Sequence, residues 1–328
     1  MKQLGPQSDI QSMADNHIIE VENLYHRYDD RVALQGISFT VEQSKIFGLL
    51  GPNSGGKTTT FKILSTLLKP TSGRASICGL DISKDPGKVR NCIGVVFQSS
   101  AVDVKLTVAE NLRHQGHLYG LKGSGLTARI KEVSERLSIS DRAKDFVEKL
   151  SGGLRRRVEI AKSFLHQPPV LLLDEPSTGL DPAARRELWS YLESLRDREG
   201  VTIIITTHIM EEAEGCDQIG ILDQGRLVAN ATPDALRAEI GGDVIAAQTK
   251  NPEMLSAGIK ERFGSDSTVI GDTVRVERDR GHEFIAQLVE AFPGQISSIT
   301  MGRPTLEDVF IQRTGHLFSD ETKTGAAA

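Results

Sequence analysis

The stretch from Ile46 to Thr59 constrains the fold of this chain more than any other. It begins with five residues typical of a buried strand, continues as a glycine-rich turn, and enters a helical pattern that extends to Leu68. The turn matches the pattern G-x-x-x-x-G-K-[ST] between Gly51 and Thr58. Glycines let successive backbone N–H groups face one anion, and a helix N-terminus adds unpaired donors. The stretch therefore predicts a phosphate-binding loop, although a glycine turn before an ordinary helix could have the same sequence.

The predicted loop assigns chemistry to individual side chains. Lys57 would reach the β- and γ-phosphates of a nucleotide, and the hydroxyl of Thr58 would bind Mg²⁺. We expect the nucleotide to contact the whole loop, which consists of Gly51, Pro52, Asn53, Ser54, Gly55, Gly56, Lys57, Thr58 and Thr59.

A second candidate site follows the apolar run 170–173, where Asp174 and Glu175 come directly after a predicted strand. Fully apolar strands are typical of the centre of a parallel sheet, and ligands in such sheets lie at the carboxyl ends of the strands. Asp174 is therefore placed to hold Mg²⁺, directly or through water. Glu175 can accept a proton from an attacking water. Without the phosphate loop upstream, these would be two ordinary acidic residues at a strand end.

Three further polar side chains follow predicted strands. Gln98 directly follows the strand predicted over 91–97, and its amide oxygen could bind Mg²⁺ or the attacking water; a solvated loop glutamine is the alternative. His208 follows the strand 201–206 and could hydrogen-bond the γ-phosphate; a structural histidine is the alternative. Tyr28 could stack on a purine ring, or simply pack at a strand end.

Ser151, Gly152 and Gly153 precede a helix predicted over 155–165. A serine and two glycines at a helix start predict a second anion-binding terminus, with a capped helix start as the alternative. The arginines at 155–157 are expected to form a solvated face. Further along, the loop from Ser177 to Asp181 leads into a helix predicted over 183–195.

Length and composition narrow the classes of function. The 328 residues suffice for two domains of roughly 150 residues each. A net charge of −5 gives no support for a nucleic-acid partner. No apolar run approaches the ~20 residues that span a bilayer, and the polar N-terminus lacks the core of a signal peptide. We expect a cytoplasmic chain with any membrane role supplied by a partner. Its three scattered cysteines show no metal-type spacing.

The order of patterns predicts the domain organisation. Residues 1–16 read as a flexible leader, followed by antiparallel strands over 18–28 and 32–41. A helical subdomain is expected over about 99–165, with a helix capped by Thr107 and further helices over 126–137 and 142–146. Residues 233–318 follow the order β-α-β-β-α-β, which predicts a ferredoxin-like α+β module. His282 and His316 in it are expected at the surface, and 319–328 read as a disordered tail.

Taken together, these patterns resemble the ATP-binding cassette (ABC) family over about residues 18–232. The matching positions are the adenine-stacking Tyr28, the Walker A loop Gly51–Thr58, the Q-loop Gln98, the signature 150–154, the Walker B residues Leu173–Glu175, the D-loop Ser177–Asp181 and the switch His208. Two positions depart from the family pattern. Leu154 replaces the glutamine that usually ends the signature, and Ser54 stands where the loop usually has glycine. Neither departure removes a charged group or the candidate base, although Ser54 could restrict the loop.

The resemblance implies a fold and a mechanism. The fold would be an α/β P-loop NTPase (RecA-like) cassette over 17–232, with an antiparallel β subdomain, the inserted helical subdomain and the C-terminal module. Two cassettes would meet head to tail as a homodimer, with ATP and Mg²⁺ between Walker A of one and Ser151, Gly152 and Gly153 of the other. Asp181 would order the site across that interface. The catalytic residues would be Lys57, Gln98, Glu175 and His208.

The chain end refines the resemblance. The segment from Pro304 to Phe310 is similar to the C-terminal end of ATPases that serve daunorubicin-resistance, nodulation and sodium-type exporters. This similarity implies an ABC transporter ATPase subunit on the inner face of the cell membrane, powering a separate permease that selects the cargo. The alternative is a soluble ABC ATPase that acts on a ribosome or nucleic-acid complex. Such relatives usually carry two cassettes or long coiled coils, which this sequence lacks.

Overall fold

A computed structural model describes residues 17–318 of the chain. The predictions of a flexible leader over 1–16 and a disordered tail over 319–328 fall outside these residues. The predicted fold class is confirmed: two β-sheets and an inserted helical region form the cassette, and a smaller α+β module follows. The boundaries proposed between these parts stay a prediction.

The first sheet is antiparallel, as the sequence predicted. Its strands, numbered along the chain, are β1 (His17–Tyr28), β2 (Arg31–Glu42), β4 (Ser72–Ile77) and β5 (Leu80–Asp81), in the spatial order β2-β1-β4-β5. Ile37, Phe39 and Val41 alternate with exposed residues along β2, because only one face of this sheet packs on the core.

The central sheet is parallel except at one edge. Its spatial order is β10-β9-β3-β8-β7-β6, and only β10 runs antiparallel to its neighbour. The strands are β3 (Ile46–Leu50), β6 (Ile93–Val96), β7 (Val170–Asp174), β8 (Thr202–Thr207), β9 (Gln218–Asp223) and β10 (Arg226–Ala231). Every residue of β3, β7 and β8 is buried, which explains the apolar runs within them: all of β3, residues 170–173 of β7 and residues 203–205 of β8.

Helices cover both faces of the central sheet. On one face α1 (Lys57–Leu64) packs between this sheet and the antiparallel sheet, where Phe39 stacks on Phe47. The other helices around the two sheets are α2 (Pro86–Cys92), α6 (Pro182–Glu199), α7 (Met210–Glu214) and α8 (Pro233–Ala238). Several predicted boundaries were wrong. The helix predicted over 183–195 extends to Glu199, and the helix predicted from 155 begins at Gly152. The helix expected to reach Leu68 ends at Leu64, and the strand expected from Asn91 begins at Ile93, because α2 extends to Cys92.

The helical insert consists of α3 (Val108–Leu118), α4 (Gly123–Arg136) and α5 (Gly152–Phe164). Thr107 caps α3 as predicted, and Glu110 completes a capping box. The helix predicted over 142–146 was wrong: two short 3₁₀ turns flank this stretch, and Phe146 is extended and bridges to Thr107. The backbone here bonds to the segment before α3 in place of helical hydrogen bonds: the N–H of Val147 donates to the carbonyl of Leu106, and the N–H of Val108 donates to the carbonyl of Asp145.

The C-terminal module has the predicted ferredoxin-like topology. Its elements are β11 (Asp243–Thr249), α9 (Pro252–Phe263), β12 (Ser267–Ile270), β13 (Thr273–Arg278), α10 (Gly281–Ala291) and β14 (Ile296–Gly302), and α11 (Leu306–Thr314) follows. The strands pair antiparallel in the order β12-β13-β11-β14. Leu306, Val309 and Phe310 of α11 pack with Ile219 and Leu236 of the cassette, so α11 joins the two parts. Within residues 17–318, no helix has the length and hydrophobicity to cross a membrane.

Candidate functional site

The glycine loop between β3 and α1 is held against the hairpin that joins β9 to β10. A Cβ added at Gly51 would lie 2.3 Å from the carbonyl oxygen of Leu222, and one at Gly55 would lie 2.8 Å from the same atom. Gly56 has a φ of +105°, which a residue with a side chain rarely adopts. Sterics therefore require glycine at these three positions. Between them, the side chains of Asn53 and Ser54 are exposed.

Lys57 lies at the centre of the site. Its ammonium donates hydrogen bonds to the carbonyl oxygens of Gly51 (2.6 Å) and Pro52 (2.9 Å), and it lies 3.8 Å from Oε1 of Glu175. Thr58 is exposed and Thr59 is buried at the start of α1. No side chain caps α1, so its first N–H groups and the positive end of its dipole remain for an anion. The loop has the chemistry of a phosphate site.

The carboxylate of Glu175 contacts two of the other predicted side chains, Gln98 and His208, and also Thr178. Nε2 of Gln98 donates to Oε2 of Glu175 at 3.0 Å, and the hydroxyl of Thr178 donates to the same oxygen at 3.2 Å. Nδ1 of His208 lies 3.1 Å from Oε1 of Glu175, a close contact without hydrogen-bond alignment. The structure thus brings Lys57, Gln98, Glu175 and His208 together.

The backbone of Glu175 is strained. Its φ of +44° is uncommon for a residue with a side chain. Such conformations persist where the surroundings fix them, and they concentrate at functional sites. The N–H of Glu175 is held by the carbonyl (3.1 Å) and the hydroxyl (3.0 Å) of Thr206 on the neighbouring strand β8.

Asp174 precedes Glu175 and is almost fully buried. Its carboxylate accepts a hydrogen bond from the hydroxyl of Thr206. Burial raises the pKa of Asp174, and the negative charge of Glu175 raises it further, while Lys57 and the Thr206 bond oppose the rise. A carboxylate in such a place gains from a nearby cation. Among residues 17–318, however, no cluster of three acidic, histidine or cysteine side chains could hold a metal ion by itself.

The remaining predicted residues lie outside this group. Ser151 caps α5 by accepting from the N–H of Leu154 at 3.3 Å. Asp181 caps α6, and its bonds to backbone N–H groups lower its pKa. Gly152 is exposed at the start of α5, and Gly153 follows it. Tyr28 ends β1 with 39% of its surface exposed and with the ring of His26 edge-on to it.

Sequence reasoning missed two buried charged residues near the site. Arg156 was expected on a solvated face but is 8% exposed and donates to five acceptors around Glu175. Glu212 on α7 is 2% exposed and accepts from the hydroxyls of Ser177 and Thr207. The one sequence signal was Glu159, three residues after Arg156, which forms its ion-pair partner.

The two histidines of the C-terminal region have different environments. The side chain of His282 is exposed, as predicted. His316 is only half-buried, with 29% of its side chain exposed, so it lies at the surface in part. Its ring packs edge-on against Phe310, and its Nε2 lies 3.3 Å from Oδ2 of Asp223. Asp223 ends β9 beside the phosphate loop, so this contact could not be read from the local sequence.

Comparisons with known families agree with this geometry. The family model described as ABC transporter matches residues 34–178, and a model described as AAA domain, putative AbiEii toxin, Type IV TA system matches 147–214. The daunorubicin resistance ATP-binding protein DrrA2 of Streptomyces coeruleorubidus is 37% identical, over 92% of this chain and 96% of its own. The Nod factor export ATP-binding protein I of Burkholderia lata is 38% identical, over 92% and 98%.

Solved cassettes share the fold. The cbiO1 protein of Clostridium perfringens, part of the ABC transporter complex cbiONQ, superposes with a TM-score of 0.64 at 28% identity, covering 76% of this chain and 97% of that one. The dimeric cassette MJ0796, bound to ADP and Pi after hydrolysis, gives a TM-score of 0.60 at 26% identity over 65% and 98%. The chain therefore belongs to the ABC transporter ATP-binding proteins, and its reaction is the hydrolysis of ATP.

Proposed function

We propose that this chain is the energy-coupling subunit of an ABC exporter, in which Glu175 is the general base for ATP hydrolysis. The observation that carries this proposal is the cluster around Glu175. Its two carboxylate oxygens contact Gln98, Thr178 and His208 beside the ammonium of Lys57. A base held in this way can orient an attacking water toward a phosphate bound in the glycine loop.

The nucleotide contacts follow from the same geometry. The loop 51–59 would enclose the phosphates, with Lys57 offsetting the charge of the transferred group and His208 contacting the γ-phosphate. Tyr28 would stack on the adenine. The side-chain oxygens of Thr58, Gln98 and Asp174 are donors that suit Mg²⁺, and the ATP phosphates would supply further ligands. When bound, the ion would offset the negative charge of those phosphates.

The two departures from the family pattern are compatible with this activity. Ser54 is exposed between the sterically required glycines at 51 and 55. Leu154 packs against the core of the helical insert, so its side chain serves packing.

Hydrolysis would take place in a head-to-tail homodimer. Ser151 and Gly152 are exposed at the N-terminus of α5, where they are accessible to the nucleotide of a second copy. Gly153 and the partner's D-loop, with Asp181, would complete each site. The dimeric cassette MJ0796 supports this arrangement. Because ATP would lie between the copies, its binding would close the dimer and its hydrolysis would reopen it.

A groove beside Gln98 supports a separate permease as the second partner. A cavity of about 280 Å³ lies between the end of α1, β6 and the helical insert. Its lining includes Leu67, Phe97, Ala101 and Tyr119, and Leu67 is 63% exposed. Such a groove fits an amphipathic helix of a membrane protein. The chain would then lie in the cytoplasm, on the inner face of the membrane. A role on ribosomes or nucleic acid is not favoured, because exporter ATP-binding proteins match 92% of the chain.

The base assignment is tested with Glu175→Gln. We expect ATP binding to persist and hydrolysis to slow by roughly 10²-fold or more, the usual scale for a lost general base. Glu211→Gln, which makes the same change on an exposed position, is the matched control. Near-normal turnover of the purified Glu175 variant would exclude it as the base.

The docking surface is tested with single cysteines along 99–106, crosslinked to the copurified permease with and without ATP. Because Gln98 joins this segment to the site, we expect crosslinks here whose yield depends on ATP. Cysteines on the C-terminal module serve as the comparison. Crosslinks confined to that module would show that the permease docks there and would contradict a coupling surface at 99–106.

A further inference from the structure

Arg156 on α5 binds several of the catalytic segments through one buried side chain. Its Nε donates to the carbonyl of Pro176 at 2.7 Å, and its Nη1 donates to the carbonyl of Phe97 and to Oε2 of Glu159, both at 2.7 Å. Its Nη2 donates to the carbonyls of Asp174 at 3.0 Å and of Glu175 at 3.2 Å. A guanidinium has five N–H groups, so each one has an acceptor here.

These acceptors belong to three separate segments. Phe97 directly precedes Gln98. The carbonyls at 174–176 lie where β7 ends and the chain turns toward the loop after it. Buried carbonyls require donors, and the planar fork of an arginine supplies several from one side chain. Glu159, itself 7% exposed, offsets the buried charge.

The strained backbone of Glu175 is held from both sides by these contacts. Thr206 on β8 binds its N–H. Its carbonyl accepts from Arg156 on α5 and from the N–H of Thr178, both at 3.2 Å. The φ of +44° persists only where the surroundings fix it. Besides the local bond from Thr178, the backbone of Glu175 is therefore held by a helix of the insert and by the central sheet.

We propose that Arg156 is a positioning residue for ATP hydrolysis, which aligns Gln98 and Glu175 by holding the backbone carbonyls beside them. Since Arg156 lies three residues after Gly153, this alignment depends on the position of α5. A movement of α5 would displace the carbonyl of Glu175 and that of Phe97 together. The catalytic base thereby responds to the helix whose N-terminus would meet the partner's nucleotide.

Arg156→Lys in the full-length chain tests this role. Lysine keeps a positive charge opposite Glu159, but its three donors are not arranged as a planar fork. We expect kcat to fall roughly tenfold or more, which is the effect of about 1.4 kcal/mol on the barrier. The Kd for ATP should change less than about twofold, because Arg156 has no contact with the phosphate loop in the interactions described above. Arg155→Lys is the matched control, since within residues 17–318 the guanidinium of Arg155 donates to the carbonyls of Leu150 and Glu148 and not to those around Glu175.

Glu159→Gln separates positioning from stability. It retains all four carbonyl contacts of Arg156 while removing the paired charge, so we expect a lower Tm with kcat near that of the unsubstituted chain. Unchanged kcat in Arg156→Lys would overturn the proposal. The proposal would also be overturned if kcat fell in Glu159→Gln as much as in Arg156→Lys for the same loss of Tm, because kcat would then follow stability alone. Failure of Arg156→Lys to fold would also overturn it. Since the lysine retains the charge opposite Glu159, such a failure would show that the carbonyl contacts are needed for folding.

Discussion

Glu212 connects two loops of the catalytic site, and its substitution tests how those loops are held. Its buried carboxylate accepts hydrogen bonds from the hydroxyls of Ser177 and Thr207. Ser177 opens the loop that leads to Asp181, and Thr207 directly precedes His208. We therefore expect Glu212→Gln to weaken the anchoring of both loops.

The size of the effect follows from the two bonds. A hydrogen bond to a charged group contributes about 1.5–3 kcal/mol, roughly twice a neutral one. The glutamine amide can accept from one hydroxyl and donate to the other, so both bonds persist without the charge. If each of the two bonds loses half of its contribution, the free energy of unfolding falls by about 1.5–3 kcal/mol in total. At about 2–4 °C per kcal/mol, the Tm should fall by roughly 3–12 °C.

The assay is thermal unfolding followed by circular dichroism, together with steady-state ATPase measurements. Glu211→Gln makes the same chemical change on the exposed neighbour, where surface substitutions change stability by about 0.5 kcal/mol at most. We expect kcat of the Glu212 variant to fall about tenfold if the shift of His208 costs the transition state about 1.4 kcal/mol. Equal Tm values for the two variants would refute the reasoning.

Two further outcomes follow from the loop and from the proposed dimer. In Gly51→Ala the new Cβ would lie 2.3 Å from the Leu222 carbonyl oxygen, so we expect at least about a tenfold loss of ATP affinity by calorimetry, whereas Gly87→Ala, with open space around it, should bind normally. Normal binding by the Gly51 variant would contradict the steric argument. Lys57→Ala and Ser151→Arg should each be inactive alone. Their mixture should recover activity, because the heterodimer has one intact site, and no recovery between dimerising variants would argue against a composite site.

Much of the site was predictable because the strand topology brings the motifs together. Four neighbouring strands of the central sheet, β3, β8, β7 and β6, are parallel, so their carboxyl ends lie along the same side of the sheet. The glycine loop follows β3, and His208, Glu175 and Gln98 follow β8, β7 and β6. Polar residues after apolar strands of this kind must lie near one another. The local pattern around each strand therefore contained enough information to place these side chains, before any distance was known.

The residues that sequence reasoning missed depend on distant backbone. Arg156 stands in a run of three arginines, and only the carbonyls at 97 and 174–176 distinguish it from its neighbours. Glu212 lies between the exposed Glu211 and Glu214, and its partners come from other segments. Charged residues in helices read as solvated in a single sequence, because the burial of one face is decided by elements far along the chain.

The groove and the catalytic base are separated by only two side chains. Glu159 lines the groove proposed for the permease, and its carboxylate binds Arg156. Arg156 in turn binds the carbonyls of Phe97 and Glu175. A partner that displaces α5 therefore acts on the backbone of the base through Arg156, without requiring the central sheet to deform. Because Thr206 fixes the N–H of Glu175 from that sheet, such a displacement would shift the carbonyls of Glu175 and Phe97 while that N–H stays in place. It would therefore change the rate of hydrolysis before it changed the affinity for ATP.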